Sequence, residues 1–172
     1  IRSAAGDIVL TSGDELDPLA DFLLIESNIE VIAETGSIFL NSGDDLTISN
    51  GAKVMASQDL IITLEADNAD PEGVGMLVNG TIAATNINIS SAADDDNLVF
   101  NTVITDAVID DVLGNPLASI SLENLNIDTG LGDDSVSFNE SVSSSTVSLE
   151  LGAGDNHFSL IGSKTLTTTS FD

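Results

Sequence analysis

The sequence predicts an all-β chain coiled as a right-handed parallel β-helix (β-solenoid) with acidic turns. Three observations point there. Gly6-Asp7-Ile8-Val9-Leu10-Thr11-Ser12-Gly13-Asp14-Glu15-Leu16 is echoed 30 residues later by Gly36-Ser37-Ile38-Phe39-Leu40-Asn41-Ser42-Gly43-Asp44-Asp45-Leu46. A fixed-period repeat of strand and turn is the signature of a repeat architecture. Strand formers (Val, Ile, Leu, Thr) alternate with Ser, Asn and Asp, and Gly punctuates them. A second repeat, Gly130-Leu131-Gly132-Asp133-Asp134-Ser135-Val136-Ser137-Phe138, returns at Gly152-Ala153-Gly154-Asp155-Asn156-His157-Phe158-Ser159-Leu160.

The elements follow in order. Apolar clusters at Ile8–Leu10, Leu16, Leu23–Ile25, Ile29–Ile32, Ile38–Leu40, Leu46–Ile48, Val54–Met55 and Leu60–Leu64 are too short for helices. Only Asp17-Pro18-Leu19-Ala20-Asp21-Phe22-Leu23-Leu24 has a weak helical pattern. Asn50-Gly51 predicts a turn with positive φ. Asp67 to Gly75 breaks the rhythm and predicts a protruding loop. Strands resume at Met76–Val78, Thr81–Ala83, Ile87–Ile89 and Leu98–Phe100. The organisation expected is one continuous rod: solenoid repeats over 1–100, less regular coils over 101–127, and Gly-Asp-rich calcium-type repeats over 128–172. Asp94-Asp95-Asp96-Asn97-Leu98-Val99-Phe100 reads as a further copy of the second repeat without its glycines. At about 22 residues per coil and about 4.8 Å between strands, some eight coils give a rod of roughly 40 Å.

Composition narrows the partners. The 172 residues carry 29 Asp and Glu against three basic residues (Arg2, Lys53, Lys164), a formal charge of -26. The 42% hydrophobic content still allows a packed core, so the acids are expected at the surface. Three cations cannot neutralise them by ion pairing, and self-repulsion destabilises a compact state. Dissolved Ca²⁺ is the expected answer, because hard oxygen ligands select it. Nucleic acid is excluded as a partner, since its recognition needs clustered Lys and Arg. No run of 18 apolar residues predicts membrane insertion. Cysteine is absent, so there is no disulfide framework or thiolate site. The chain begins at Ile1 without a visible signal peptide and reads as a mature product or an excised segment. A calcium-dependent acidic chain suits the cell surface or extracellular space.

The candidate metal ligands are Asp133, Asp134 and Asp155, at matched repeat positions, and Asp67, Asp70 and Glu72, crowded in one glycine-containing loop. Two carboxylates on adjacent strands repel unless a cation bridges them. The alternative is that Gly-Asp is turn chemistry facing solvent. Asp94–Asp96, Asp110–Asp111 and Asp44–Asp45 read as solvated turns. His157 stands alone beside Phe158 and reads as a surface residue rather than a base. A nucleophile needs such a base, so no catalytic residue is expected and the chain is not read as an enzyme. Asn79, Asn88 and Asn139 head glycosylation triplets, which are common by chance in such strands. The first and last residues show no polar cap. This predicts either head-to-tail stacking of the chain on itself or flanking repeats of a longer chain.

Two resemblances gather these features. Gly-x-Ile-x-Leu-x-Ser-Gly-Asp-x-Leu at Gly6 and Gly36 resembles the repeats of filamentous-haemagglutinin-like secreted bacterial adhesins. The turns at Gly130 and Gly152 are similar to repeats-in-toxin calcium units, but lack the full glycine pair and lie 22 residues apart rather than in tandem nonapeptides. Together they resemble stretches of a large secreted bacterial repeat adhesin or surface protein. This implies a right-handed parallel β-helix, a structural or adhesive role, and contact with surface glycans. The rival class is a β-helix polysaccharide-degrading enzyme, disfavoured by the 3% aromatic content, all Phe, because sugar platforms favour Trp and Tyr.

Overall fold

The computed structural model describes residues 1–13, 22–64, 75–91, 95–111, 113–161 and the backbone of 169–171. The described chain is all-β, contains no helix, and is built mainly from parallel sheets. It runs in circuits of three strands. The first circuit is β1 (Arg2–Ser3), β2 (Ile8–Thr11) and β3 (Leu23–Ile25). The second is β4 (Glu30–Ala33), β5 (Ile38–Ser42) and β6 (Leu46–Ile48). The third is β7 (Lys53–Ala56), β8 (Asp59–Leu64) and β9 (Gly75–Val78). The fourth is β10 (Thr81–Ala83), β11 (Asn86–Ser90) and β12 (Asn97–Phe100). A hairpin of β13 (Ala107–Asp110) and β14 (Pro116–Ile120) interrupts the series. It resumes with β15 (Asn124–Asp128), β16 (Ser135–Phe138), β17 (Thr146–Glu150), β18 (His157–Leu160) and β19 (Thr169–Phe171).

Each strand pairs in parallel with its counterpart in the neighbouring circuit. The first sheet is β1-β4-β7-β10, the second β2-β5-β8-β11-β15-β17-β19, and the third β3-β6-β9-β12-β16-β18. This cyclic order is compatible with a β-helix. The 11-residue sequence echo is visible as pairing, because Ile8 faces Ile38 and Leu10 faces Leu40. The second repeat pairs likewise, with Val136 opposite Phe158 and Phe138 opposite Leu160. The glycine-less copy falls in the same register, since Asn97 faces Ser135 and Phe100 faces Phe138.

The alternating strands bury one side. Ile38, Leu60, Ile87, Leu125 and Val147 form one inward column, and Leu40, Ile62, Ile89, Ile127 and Leu149 the next; all are buried. The third sheet adds Ile48, Val78, Phe100 and Phe138 in register. The Phe100 and Phe138 rings stack at 4.8 Å, and Phe138 meets Phe158 edge-on at 6.0 Å. Such pairs add about 0.5–1.5 kcal/mol beyond the area they bury.

The structure departs from the expectations in circuit length and in the pairing within 101–127. The circuits are not uniformly about 22 residues long: register partners lie 30, 22, 27, 38 and 22 residues apart. Longer circuits mean fewer of them, and the widest sheet has seven strands rather than eight. Its six strand steps span about 29 Å. Residues 101–127 do not simply continue the parallel pairing. β13 and β14 are antiparallel, with Ala107 opposite Ile120 and Ile109 opposite Ala118. The hairpin lies on the first sheet, where Ile109 and Ile120 pack with Ile32, Met55 and Ala83 in a second buried cluster. That cover is why β4, β7 and β10 are buried on both faces instead of alternating. Leu23 and Leu24, at the end of the weak helical pattern, lie in β3; residues 14–21 lie outside the described residues.

The described residues add no strand to the first sheet after β10; outside the named strands, Ile104 before the hairpin makes a parallel bridge to Val142 after it, both fully buried. Arg2 ties the far end of the chain to the hairpin, its guanidinium donating to the Asp110 carbonyl and to Glu34.

Candidate functional site

The acidic turns lie where the second sheet hands the chain to the third. Two columns run along the circuits here. In the first, the Asp133 N–H donates to Asp95 Oδ1 at 2.8 Å, and the Asp155 N–H donates to Asp133 Oδ1 at 2.7 Å. In the second, the Asp96 N–H donates to Asp134 Oδ1 at 3.0 Å, and the Asp134 N–H donates to Asn156 Oδ1 at 2.9 Å. Sequence neighbours therefore reach in opposite directions. Asp133 holds the amide of the following circuit, and Asp134 that of the preceding one. Earlier circuits use the same device: Asp7 Oδ1 accepts the Ser37 N–H at 2.9 Å, and Asp45 Oδ1 accepts the Gly75 N–H at 2.8 Å. Hydrogen bonds to an ionised acceptor are each worth about 1.5–3 kcal/mol. Backbone amides thus supply part of the compensation that three basic residues cannot.

The second column is buried. Asp134 is 1% and Asp96 2% exposed, which corrects the expectation of a solvated turn at Asp96; Asp95 is exposed as expected, and Asp94 lies outside the described residues. A buried carboxylate is tolerable only when hydrogen-bonded. Thr129 Oγ1 donates to Asp134 Oδ2 at 2.8 Å, and Ser91 Oγ donates to Asp96 Oδ2. In both cases the hydroxyl precedes the acid by five residues. One circuit later the corresponding residue is Leu151, which has no hydroxyl, and the acid position is Asn156. The Asn156 amide donates to the Leu151 carbonyl at 2.8 Å and to the Gly152 carbonyl at 3.2 Å. A carboxylate could not make those bonds, because an ionised acid only accepts. The five-residue spacing from Ser or Thr to Asp does not by itself mark burial, because Ser90–Asp95 and Thr105–Asp110 share it and both acids are exposed.

The glycines of these turns touch backbone. A Cβ on Gly152 (φ 65°) would fall 1.5 Å from the Gly130 carbonyl oxygen, and one on Gly154 1.8 Å from that of Gly132. Only glycine allows turns of adjacent circuits to approach this closely. Gly51 adopts the positive φ expected of Asn50-Gly51, at 82°.

Of the predicted calcium ligands, Asp133 and Asp155 share one exposed column, whereas Asp134 is inside and both its oxygens are engaged. Asp67, Asp70 and Glu72 lie outside the described residues. Among the described residues, no three Asp, Glu or His side chains converge on a point that could hold a metal. Ca²⁺ takes six to eight oxygens. An ion at this rim would therefore draw on Asp155, the remaining oxygen of Asp133 and neighbouring backbone carbonyls.

A second surface is the outer face of the second sheet. Its outward positions change character along the stack: Val9, Phe39 and Ile61 give way to Asn88, Asn126 and Ser148. The adjacent column ends in Asp128 opposite Glu150. A shallow groove of about 300 Å³ crosses this face, lined by Ile61, Asn88, Ser90, Asn126, Asp128 and Glu150. Asn126 Nδ2 donates to Asn88 Oδ1 at 2.8 Å. Two longer side-chain ladders run along the stack, one at the start of the second-sheet strands and one just past the third-sheet strands. Asn124 donates to Asn86 and Asn86 to Asp59, both at 2.7 Å. Asn139 donates to Asn101 at 2.6 Å and Asn101 to Asn79 at 2.8 Å. Asn139 Oδ1, at the end of that ladder, is buried without a partner among the described residues. The three asparagines of the glycosylation triplets are thus all ladder members.

The basic residues sit elsewhere. Lys53 Nζ donates to Glu30 Oε1 at 2.9 Å, and this hydrogen bond holds the Glu30 carboxyl below its usual pKa. At the tip of the hairpin, the side-chain amide and backbone N–H of Asn115 lower the pKa of Asp111. His157 is exposed at the start of β18. No family model, curated protein or solved structure matches the chain at significant similarity.

Proposed function

We propose that this chain is a structural and adhesive module: a right-handed parallel β-helix in an extracellular surface protein or filament, of the kind found in large secreted bacterial repeat adhesins. The observation that supports this reading is the in-register stacking of successive circuits. Core residues, side-chain amides and turn carboxylates find partners in the neighbouring circuit, a construction that extends along one axis and presents long side surfaces. Its partners are flanking repeats of a longer chain or further copies stacked head to tail, since parallel edges pair with any strand in matching register. Surface glycans are a further partner.

Ca²⁺ is proposed to strengthen the acidic rim at Asp133 and Asp155. A ligand bound only by the folded state adds about 2.7 kcal/mol at 100-fold above its Kd. Melting in millimolar Ca²⁺, in chelator and in Na⁺ of matched ionic strength separates binding from screening. A larger rise with Ca²⁺ than with Na⁺ is expected, and equal rises would reject a specific site. Negative-stain microscopy with and without Ca²⁺ tests the assembly: end-to-end filaments support self-stacking, and single short rods at high concentration reject it.

The groove favours one second reading, an enzyme acting on polysaccharides. Asp128 and Glu150 face each other on adjacent strands at its edge, and glycoside hydrolysis needs two carboxylates. Release of reducing ends from a glycan panel, lost in Glu150→Gln, would support it.

A further inference from the structure

The chain contains two Asn-Gly pairs, Asn50-Gly51 and Asn79-Gly80, that the sequence makes chemically equivalent. We infer that Asn50 is a site of spontaneous backbone modification, deamidation through a succinimide, and that the stacking of the circuits protects Asn79. In this reaction the backbone nitrogen of Gly51 attacks Cγ of Asn50. A new C–N bond forms, the side-chain amide leaves as ammonia, and the ring closes. Water then opens the ring at either carbonyl, giving Asp or iso-Asp. No oxidant or reductant takes part.

The two sites differ in whether the attacking nitrogen and the side-chain carbonyl of the asparagine are held by hydrogen bonds. Asn50 and Gly51 are both exposed. They occupy the two central positions of a turn closed by the Ala52 N–H donating to the Ser49 carbonyl at 3.0 Å, and Gly51 has φ 82°. The closing bond uses the Ser49 carbonyl and the Ala52 N–H and so leaves the Gly51 N–H out of it. Among the described residues neither the Gly51 N–H nor the Asn50 side chain has a hydrogen-bond partner. A glycine at this position offers no Cβ to hinder approach of the nitrogen.

At the other pair, the Gly80 N–H donates to the Ile48 carbonyl at 3.1 Å, and the Asn79 N–H donates to the same oxygen at 2.8 Å. Asn79 Oδ1 accepts from Asn101 at 2.8 Å. Gly80 is buried, and a Cβ placed on it would lie 2.6 Å from the Ser49 carbonyl oxygen and 2.7 Å from that of Ala52. Closing a ring at Asn79 requires breaking these contacts first, which means opening the stack between circuits.

The consequence at Asn50 is local. Each event adds one negative charge, and the iso-Asp product also an extra backbone atom, to a turn resting on Asn28 and leading into Lys53. Lys53 holds Glu30, so the ion pair of the first sheet lies beside the modified turn.

The test is ageing of the whole chain at mildly alkaline pH and body temperature, followed by peptide mapping by mass spectrometry, with a second sample in denaturant. In the folded chain, Asn50 should gain the one-dalton mass increase at least about tenfold faster than Asn79, because a local opening costing 1.4 kcal/mol already slows a reaction tenfold. In denaturant the two should react at similar rates. Asn101→Ala, which removes the amide held against Asn79, should raise the rate at Asn79 and leave Asn50 unchanged. Equal folded-state rates, or a faster rate at Asn79, would overturn the inference. So would a folded chain unreactive at both positions while the denatured chain reacts at both.

Discussion

The first four circuits and the later ones share an inward face and differ in how the rest is held. Up to β12, several outward positions are apolar: Val9 is 61%, Leu24 42% and Leu77 36% exposed. The first sheet is complete there and roofed by the β13–β14 hairpin. Its acids meet cations, Glu34 with Arg2 and Glu30 with Lys53. Beyond the hairpin, the described residues add no strand to the first sheet, outward positions are polar, and no basic residue occurs among the described residues. Carboxylates there are held by backbone amides and hydroxyls, and the core gains a run of Phe. The same inward pattern thus tolerates two ways of fixing its outside: burial under a second layer, or hydrogen-bonded ladders along the stack.

The largest expected effect tests the aromatic run. Phe138→Ala should cost about 3–5 kcal/mol, read as the shift in a denaturation midpoint. Ile48, in the matching column of the early circuits, should cost about 2–4 kcal/mol as Ile48→Ala. Equal losses would mean that ring stacking adds nothing to the later half.

Glycine substitution separates conformation from contact. Gly6 and Gly152 both have positive φ, but a Cβ on Gly6 meets nothing within 4 Å, whereas on Gly152 it strikes the Gly130 carbonyl. Gly6→Ala should cost about 1–2 kcal/mol, the left-handed penalty alone. Gly152→Ala should cost at least about 3 kcal/mol, because backbone must move as well. Thermal melting of both variants checks this, and similar shifts would show that the turns of adjacent circuits are not in contact.

Ile109→Ala probes the roof over the early circuits and should cost about 2–4 kcal/mol. Hydrogen exchange should quicken in β4, β7 and β10 and remain unchanged in β16 and β17. A uniform change along the chain would mean that the hairpin is not a separate layer.

The smallest effect is acid sensitivity. Glu30 and Asp111 both have lowered pKa values in the folded chain, relative to ordinary values of 4.5 and 3.8. A lowered folded value stabilises above the unfolded value, and that stability is lost as pH falls through the folded one. Their contributions should be complete at neutral pH and decline only below about pH 4. Both groups are exposed, so the change is small. Lys53→Met should flatten the Glu30 part, followed by NMR titration of the carboxyl.

Strand positions were legible because a half-buried strand alternates with period two. Ile38–Leu40, Leu60–Leu64 and Ile87–Ile89 all appear where alternation places them. The echoes at Gly6 and Gly36, and at Gly130 and Gly152, state register directly, because identical neighbours pair in a parallel stack. The hairpin was not legible. Ala107-Val108-Ile109 and Ala118-Ser119-Ile120 have the same strand composition, and local pattern does not tell a parallel neighbour from an antiparallel one. The acidic positions were legible as columns but not in their surroundings. Asp133 and Asp134 are adjacent, identical in type and opposite in environment. Which is exposed and which is enclosed depends on Asp96 and Asn156, brought close only by stacking. The sequence by itself determined the all-β class, the strands and much of the register, because each follows from periodicity along one chain. Only the tertiary structure decided which acids are buried, what roofs the first sheet and which turns touch, because those depend on neighbours 22 to 38 residues away whose arrival no local pattern encodes.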